Sequence, residues 1–171
     1  CNEYDISGNI SSQFITGLLL ASTISKSDTI INITTSLESE SYIGLTIQAL
    51  KCFGAEVLAT KNQFLVRGNE SLKENNVSVE ADYSQAAFFL VADALGSEVS
   101  VSGLNSESLQ GDKAILEIIR DMGGHISEEG DTFTAHPTPT HGTTIDASQC
   151  PDLRYDERRA DCPPRADAHY R

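Results

Sequence analysis

The chain has 171 residues, 39% of them hydrophobic, and a formal net charge of −13. That length suits one ordinary domain or two small ones, with enough apolar residues for a core and no run long enough to span a bilayer. So acidic a balance excludes a broad nucleic-acid surface, which needs clustered Lys and Arg. The first residues, "CNEYDISGN", lack the basic and then apolar pattern of a signal peptide, so a soluble, cytoplasmic protein is expected. Charge is uneven: residues 154–171 carry five basic and four acidic residues, against seven and 21 before them.

The stretch "NISSQFITGLLLA" (9–21) reads as a helix with Phe14, Ile15, Leu18 and Leu19 on one face. Ser11 or Ser12 is placed to cap its first turn. A β-like run follows from Thr29 to Thr34. The next segment, "SESYIGLTIQALKCFG", repeats apolar residues at Ile43, Ile47 and Leu50 until Gly54, a helix-ending glycine. Cys52, in this stretch, is expected as a buried free thiol. Two short strands close the segment.

From about "VSVEAD" (77–82) the pattern starts again, offset by about 70 residues. Ser84 and Gln85 open a helix as Ser12 and Gln13 do, with Tyr83 in place of the first serine and Asp82 as the cap. A β-like run follows at Glu98 to Ser102, and then "SESLQGDKAILEIIRDMGG", with Ala114, Ile115, Ile118, Ile119 and Met122 at helical spacing. Gly123 and Gly124 end that helix, and "TFTAH" alternates as a half-buried strand does. Thr143 to Ser148 begins another unit or completes this one. Each copy therefore predicts β-α-β-α-β-β, and the fold class expected is α/β (α+β), built from two repeated units.

The candidate chemistry sits at helix starts. Ser11, Ser12 and Gln13 offer two hydroxyls and a carboxamide where free backbone N–H groups and the helix dipole already favour an anion. A helix cap is the commoner explanation of such a triplet, but the second copy keeps only the Ser-Gln pair as shared scaffold and leaves Ser11 as an extra serine. Ser39 and Tyr42 come just before and within the next helix start, at the same kind of strand-to-helix turn. Ligand sites in α/β sheets favour such ends. Asp152, in "IDASQCPDL", suits either a general base or a helix cap. His125, His136, His141 and His169 lack metal-ligand spacing and read as surface or loop residues, and Cys1, Cys52, Cys150 and Cys162 match neither a zinc site nor a disulfide framework. No metal or cofactor is expected.

Taken in order, "SSQFITGLLLA", "SESYIGLT", "VEADYSQAAFFLVA", "LQGDKAILEIIRDMGG" and "IDASQCPDL" resemble successive landmarks of the EPSP synthase family, from about Asn2 to Leu153. The resemblance implies an inverse-barrel enolpyruvyl transferase fold of two domains, each of three β-α-β-α-β-β units, with the active site between them. Residues 1–79 would be the last unit of one domain, 80–153 the first unit of the other, and 154–171 an unrelated, disordered tail. The family moves the enolpyruvyl group of phosphoenolpyruvate onto the 5-hydroxyl of shikimate 3-phosphate, in aromatic amino-acid biosynthesis. By the resemblance, Ser11, Ser12, Gln13, Ser39, Tyr42 and Asp152 contact shikimate 3-phosphate, Gln13 also approaches phosphoenolpyruvate, and Asp152 is the base for the attacking hydroxyl.

The sequence departs from that pattern after "CPDL", and the family's cationic residues for both substrates have no counterpart. The 171 residues alone are therefore expected to be inactive in a phosphate-release assay. Surfaces that pack against further units in the family would be free for self-association. Two other readings stand beside this one: a UDP-N-acetylglucosamine enolpyruvyl transferase, which uses a loop cysteine, and a non-catalytic α/β scaffold.

Overall fold

The computed structural model describes residues 1–68, 72–146, 150, 152–153 and 169–170. The chain divides into two compact units, Cys1–Ser78 and Val79–Arg171.

In the first unit the order is β1 (Asn2–Ile6), α1 (Ser12–Thr23), β2 (Thr29–Ile33), α2 (Glu40–Cys52), β3 (Val57–Thr60) and β4 (Gln63–Val66). The four strands form one sheet in the order β1-β2-β4-β3. β1 runs parallel to β2 from Asn2↔Thr29 to Ile6↔Ile33, and the other pairings are antiparallel. Alternation along β2 buries Thr29, Ile31 and Ile33. Ile31 and Ile33 meet Ile15 and Leu19 from α1 and Ile43, Ile47 and Leu50 from α2 in one core. Gly54, at φ +86°, ends α2 in the left-handed region that glycine adopts without a Cβ penalty.

Two expectations fail here for reasons of helical phase. Phe14 is 62% exposed, because the buried face of α1 runs through Ile15, Leu19, Ser22 and Thr23. Phe14 precedes that line by one residue, about 100° around the helix. Cys52 is exposed for the same reason, two residues past the buried Leu50.

The second unit holds α3 (Tyr83–Ala94), β5 (Ser100–Val101), a 3-10 turn (Gly111–Lys113), α4 (Ala114–Asp121), β6 (His125–Glu129) and β7 (Thr132–His136). Its sheet is β5-β7-β6. Tyr83 and Phe133, both fully buried, meet edge to face at 6.4 Å in the core, joined by Leu90, Leu104, Ile115, Leu116 and Ile119. Asp93 is a buried carboxylate whose two oxygens accept the backbone N–H groups of Val99 (2.9 Å) and Ala135 (2.7 Å), tying α3 to the sheet.

This copy departs from the expected pattern at its first two strands. Residues 77–82 form no strand, and Ala81 donates a single backbone bond to the Gly103 carbonyl, 3.1 Å. The run expected from Glu98 to Ser102 shortens to Ser100–Val101. Glu98 and Gly103 on its flanks take positive φ, +52° and +86°, which no extended strand can carry. Beyond the sheet, β8 (Thr144–Ile145) pairs in parallel with β9 (His169–Tyr170). The expected disordered tail, residues 154–171, otherwise lies outside the described residues, as do the last two residues of the run expected from Thr143 to Ser148, whose described part contains β8.

Asp93→Asn keeps the size of the side chain but leaves one of the two buried N–H groups without an acceptor. It should lower unfolding stability by about 1–3 kcal/mol, read by urea titration.

Candidate functional site

β1 and β2 are parallel neighbours, so their carboxyl ends lie at one edge of the first sheet, and α1 and α2 both begin there. The two connecting loops are bound together. Thr35 Oγ1 accepts the backbone N–H of Gly8 (2.9 Å) and of Asn9 (3.2 Å), and Glu38 N donates to the Gly8 carbonyl, 3.1 Å. A Cβ on Gly8 would lie 2.8 Å from the Ser36 carbonyl oxygen, so this close approach requires glycine. Ser11, Ser12 and Gln13 at the start of α1 are thereby brought to the same end as Ser39 and Tyr42 at the start of α2.

At that end the side chains divide into two groups. Ser11 is the cap of α1, its Oγ accepting the Gln13 N–H at 3.2 Å. The serine that looked supernumerary beside the second copy therefore has a structural task. Ser12 and Gln13 make no side-chain hydrogen bond among the described residues, and Gln13 is exposed. Ser39 precedes α2 in the left-handed conformation, φ +52° and ψ +43°, with no side-chain capping bond. The Ser41 hydroxyl, one turn position further on, is buried and has no partner among the described residues. Tyr42 is half-buried, as a ring with a polar tip usually is.

The matching end of the second unit is closed by its own side chains. Glu80 stands four residues before Ser84, where the first unit has Gly8 four residues before Ser12. Its carboxylate accepts from Ser108 Oγ (2.6 Å), Gln110 Nε2 (3.0 Å) and Asn105 Nδ2 (3.1 Å). Ser108 is the repeat counterpart of Ser41, so the hydroxyl left without a partner in one copy is bonded to a carboxylate in the other. Gln110 also accepts the Tyr83 N–H at 2.8 Å and donates to the Ala81 carbonyl at 2.8 Å. Asp82 caps α3 through the Ser84 N–H, as expected. Burial pushes the Glu80 carboxyl up, but the hydrogen bonds from Gln110, Ser108 and Asn105, with the charge of Lys113, hold it below its ordinary value. Burial, with the charges of Glu128 and Glu80, pushes the Tyr83 phenol up to about 12, so it stays neutral and donates to the Asn105 carbonyl at 3.1 Å.

Sequence reasoning passed over Glu80, Gln110 and Ser41. The repeated Ser-Glu-Ser could have pointed to Ser41, but the partners of Glu80 lie 25–30 residues away and become visible only in the fold. Asp152 lies on the second unit and is exposed, between the buried Cys150 and Leu153. Cys150 is 2% exposed, an interior thiol rather than a loop nucleophile. Among the described residues no group of three or more His, Cys, Asp or Glu is arranged to hold a metal ion, and no helix is long and apolar enough to cross a membrane.

A chain with this mixed architecture matches enolpyruvyl transferases in known structures. It superimposes on EPSP synthase from Acinetobacter baumannii with a TM-score of 0.63 at 23% identity, over 92% of this chain and 37% of that one. The enolpyruvyl transferase NikO from Streptomyces tendae gives 0.61 at 15% identity, over 90% and 41%. These likenesses define the fold, that of the inverse-barrel enolpyruvyl transferases. The family model for EPSP synthase (3-phosphoshikimate 1-carboxyvinyltransferase) matches residues 1–155, and the chain belongs to that family. It is 46% identical over 153 residues to the 3-phosphoshikimate 1-carboxyvinyltransferase of Clostridioides difficile, and 48% identical over 151 residues to that of Clostridium acetobutylicum. Both alignments cover nearly nine-tenths of this chain but 35% of the relative. The chain spans about a third of the length of the curated relatives it matches.

Glu80 links this geometry to pH. Its folded carboxyl value is lowered, so its contribution to stability is full above the ordinary value of 4.5 and is lost as pH falls through the lowered one. Glu80→Gln should lower the melting temperature at neutral pH, and its difference from the parent should shrink in that acid window. A constant difference from pH 7 to pH 3 would show that the charged form has no special role.

Proposed function

We propose that the protein serves enolpyruvyl transfer and that the polar end of its first unit binds shikimate 3-phosphate. The observation that carries this reading is the contrast between the copies. In the second unit the equivalent end is filled by Glu80, Ser108 and Gln110. In the first, Ser12, Gln13, Ser39 and Ser41 are not used that way. Family membership supplies the substrate class.

On this reading Ser11, Ser12, Gln13, Ser39 and Tyr42 hold shikimate 3-phosphate. The N–H groups at the starts of α1 and α2 favour its anionic group. Gln13 also approaches phosphoenolpyruvate. Asp152 takes the proton of the 5-hydroxyl as its oxygen attacks C2 of phosphoenolpyruvate. The C–O bond to the 5-oxygen forms as the C2–C3 double bond of phosphoenolpyruvate opens and C3 takes up a proton, which gives a tetrahedral adduct; loss of a proton from C3 then restores the double bond and expels phosphate. The product belongs to aromatic amino-acid biosynthesis. The domain assignment follows the same reading: residues 1–79 close one enolpyruvyl transferase domain and 80–153 open the other. The burial of Cys150 counts against the alternative, a UDP-N-acetylglucosamine enolpyruvyl transferase that uses a loop cysteine.

Ser12→Ala is the cleaner test, because Ser11→Ala also removes a helix cap worth about 0.5–2 kcal/mol. Shikimate 3-phosphate should perturb amide resonances around residues 11–13 and 39–42, and Ser12→Ala should weaken that binding about tenfold with little change in melting temperature. Binding that is indifferent to Ser12 and Gln13, or a preference for UDP-N-acetylglucosamine, would overturn the assignment.

Self-association is a further part of the proposal. Phe14 on α1 and Phe88 and Phe89 on α3 are exposed, and apolar side chains left in water favour contact with another copy. Sedimentation velocity should show a species larger than the monomer at high concentration; a monomer throughout would remove this part.

A further inference from the structure

The hairpin of β6 and β7 carries two histidines that the proposed transfer reaction does not use. His125 and His136 are directly paired in the antiparallel register, and both are exposed. They share a face with Ser127 and Thr134, opposite to the buried Ile126, Phe133 and Ala135. Their ring centroids are 5.0 Å apart, with the planes tilted by 41°.

That separation has a chemical reading. Imidazole nitrogens bind zinc at about 2.0–2.1 Å, which puts the centroids of two rings on one tetrahedral ion roughly 5 Å apart. The separation also suits an ordinary contact between rings, but that contact becomes repulsive once both rings are protonated. An ion between their nitrogens turns the same geometry into a clip. His136 is also oriented from outside the pair, its Nε2 lying 3.0 Å from Ser127 Oγ. In the tautomer with the proton on Nε2, that nitrogen donates to the serine and the Nδ1 lone pair is left for a metal. Such a support is typical of histidine ligands. The chain's net charge of −13 raises the local concentration of cations around this face.

We propose that His125 and His136 form a two-histidine chelate for a divalent transition-metal ion of the zinc or nickel class. Water completes the coordination shell. The ion pins β6 to β7 at the open end of the hairpin and stabilises the folded second unit by binding it in preference to the unfolded chain. This site is separate from the residues assigned to substrate, so its test does not depend on the transfer reaction.

The test is a titration of the full chain with zinc or nickel chloride, followed by calorimetry and by amide and imidazole resonances. One equivalent should bind, with perturbations centred on His125 and His136. His125→Ala and His136→Gln should each weaken binding by about tenfold or more, while His141→Ala, on the following loop, should leave it unchanged. Melting curves in metal-free buffer verify that the variants fold; two exposed positions tolerate the changes. Failure of the parent chain to bind, unchanged affinity in both pair variants, or equal loss in His141→Ala would each overturn the proposal.

Discussion

Parallel strands cannot be joined by a tight turn; the chain must leave one strand, cross over and return to the same starting edge. In the first unit that crossover is α1, between β1 and β2. The five-residue parallel ladder therefore fixes where both strands run out, and with it where α1 and α2 must begin. Two helix starts, with their free N–H groups, come to one edge before any side chain is considered. Thr35 and Gly8 then bind the two loops into one surface. Everything assigned to that end depends on this ladder.

The second unit shows what replaces the ladder when it is missing. Residues 77–82 do not form a strand, and a side-chain network takes over. Glu80 gathers three donors from the loop at 105–110, and Gln110 reaches back to the backbone of Ala81 and Tyr83. A carboxylate accepting several hydrogen bonds can organise a segment as firmly as a short ladder, provided that all its partners are present. The same backbone pattern is thus held by main-chain bonding in one copy and by polar side chains in the other.

Much of the fold was legible because apolar residues repeat with the helical period. Ile43, Ile47 and Leu50 are buried together as their spacing demands, and so are Ile115 and Ile119. The misreadings come from residues that are apolar but out of phase, Phe14 and Cys52, and from backbone angles that composition does not encode, at Glu98 and Gly103. At the candidate site, the identity of Asp82 made the cap of α3 readable, and that of α1 was narrowed to Ser11 or Ser12, of which the fold uses Ser11. The Glu80 network was not readable, since it joins residues far apart in sequence whose meeting depends on the packed unit. For the same reason the sequence showed Ser41 and Ser108 as equivalents, although one hydroxyl has no partner among the described residues and the other is bonded to a carboxylate.

The closure of the second copy by Glu80, Ser108 and Gln110 bears on stoichiometry. A duplicated fold offers two equivalent mouths by construction, and a ligand fitted to one would in principle have a choice. Three side chains that face inward remove that degeneracy without altering the backbone plan. On the proposed reading, the number of ligands bound is therefore set by side-chain identity at a handful of positions. The symmetry of the duplication does not set it.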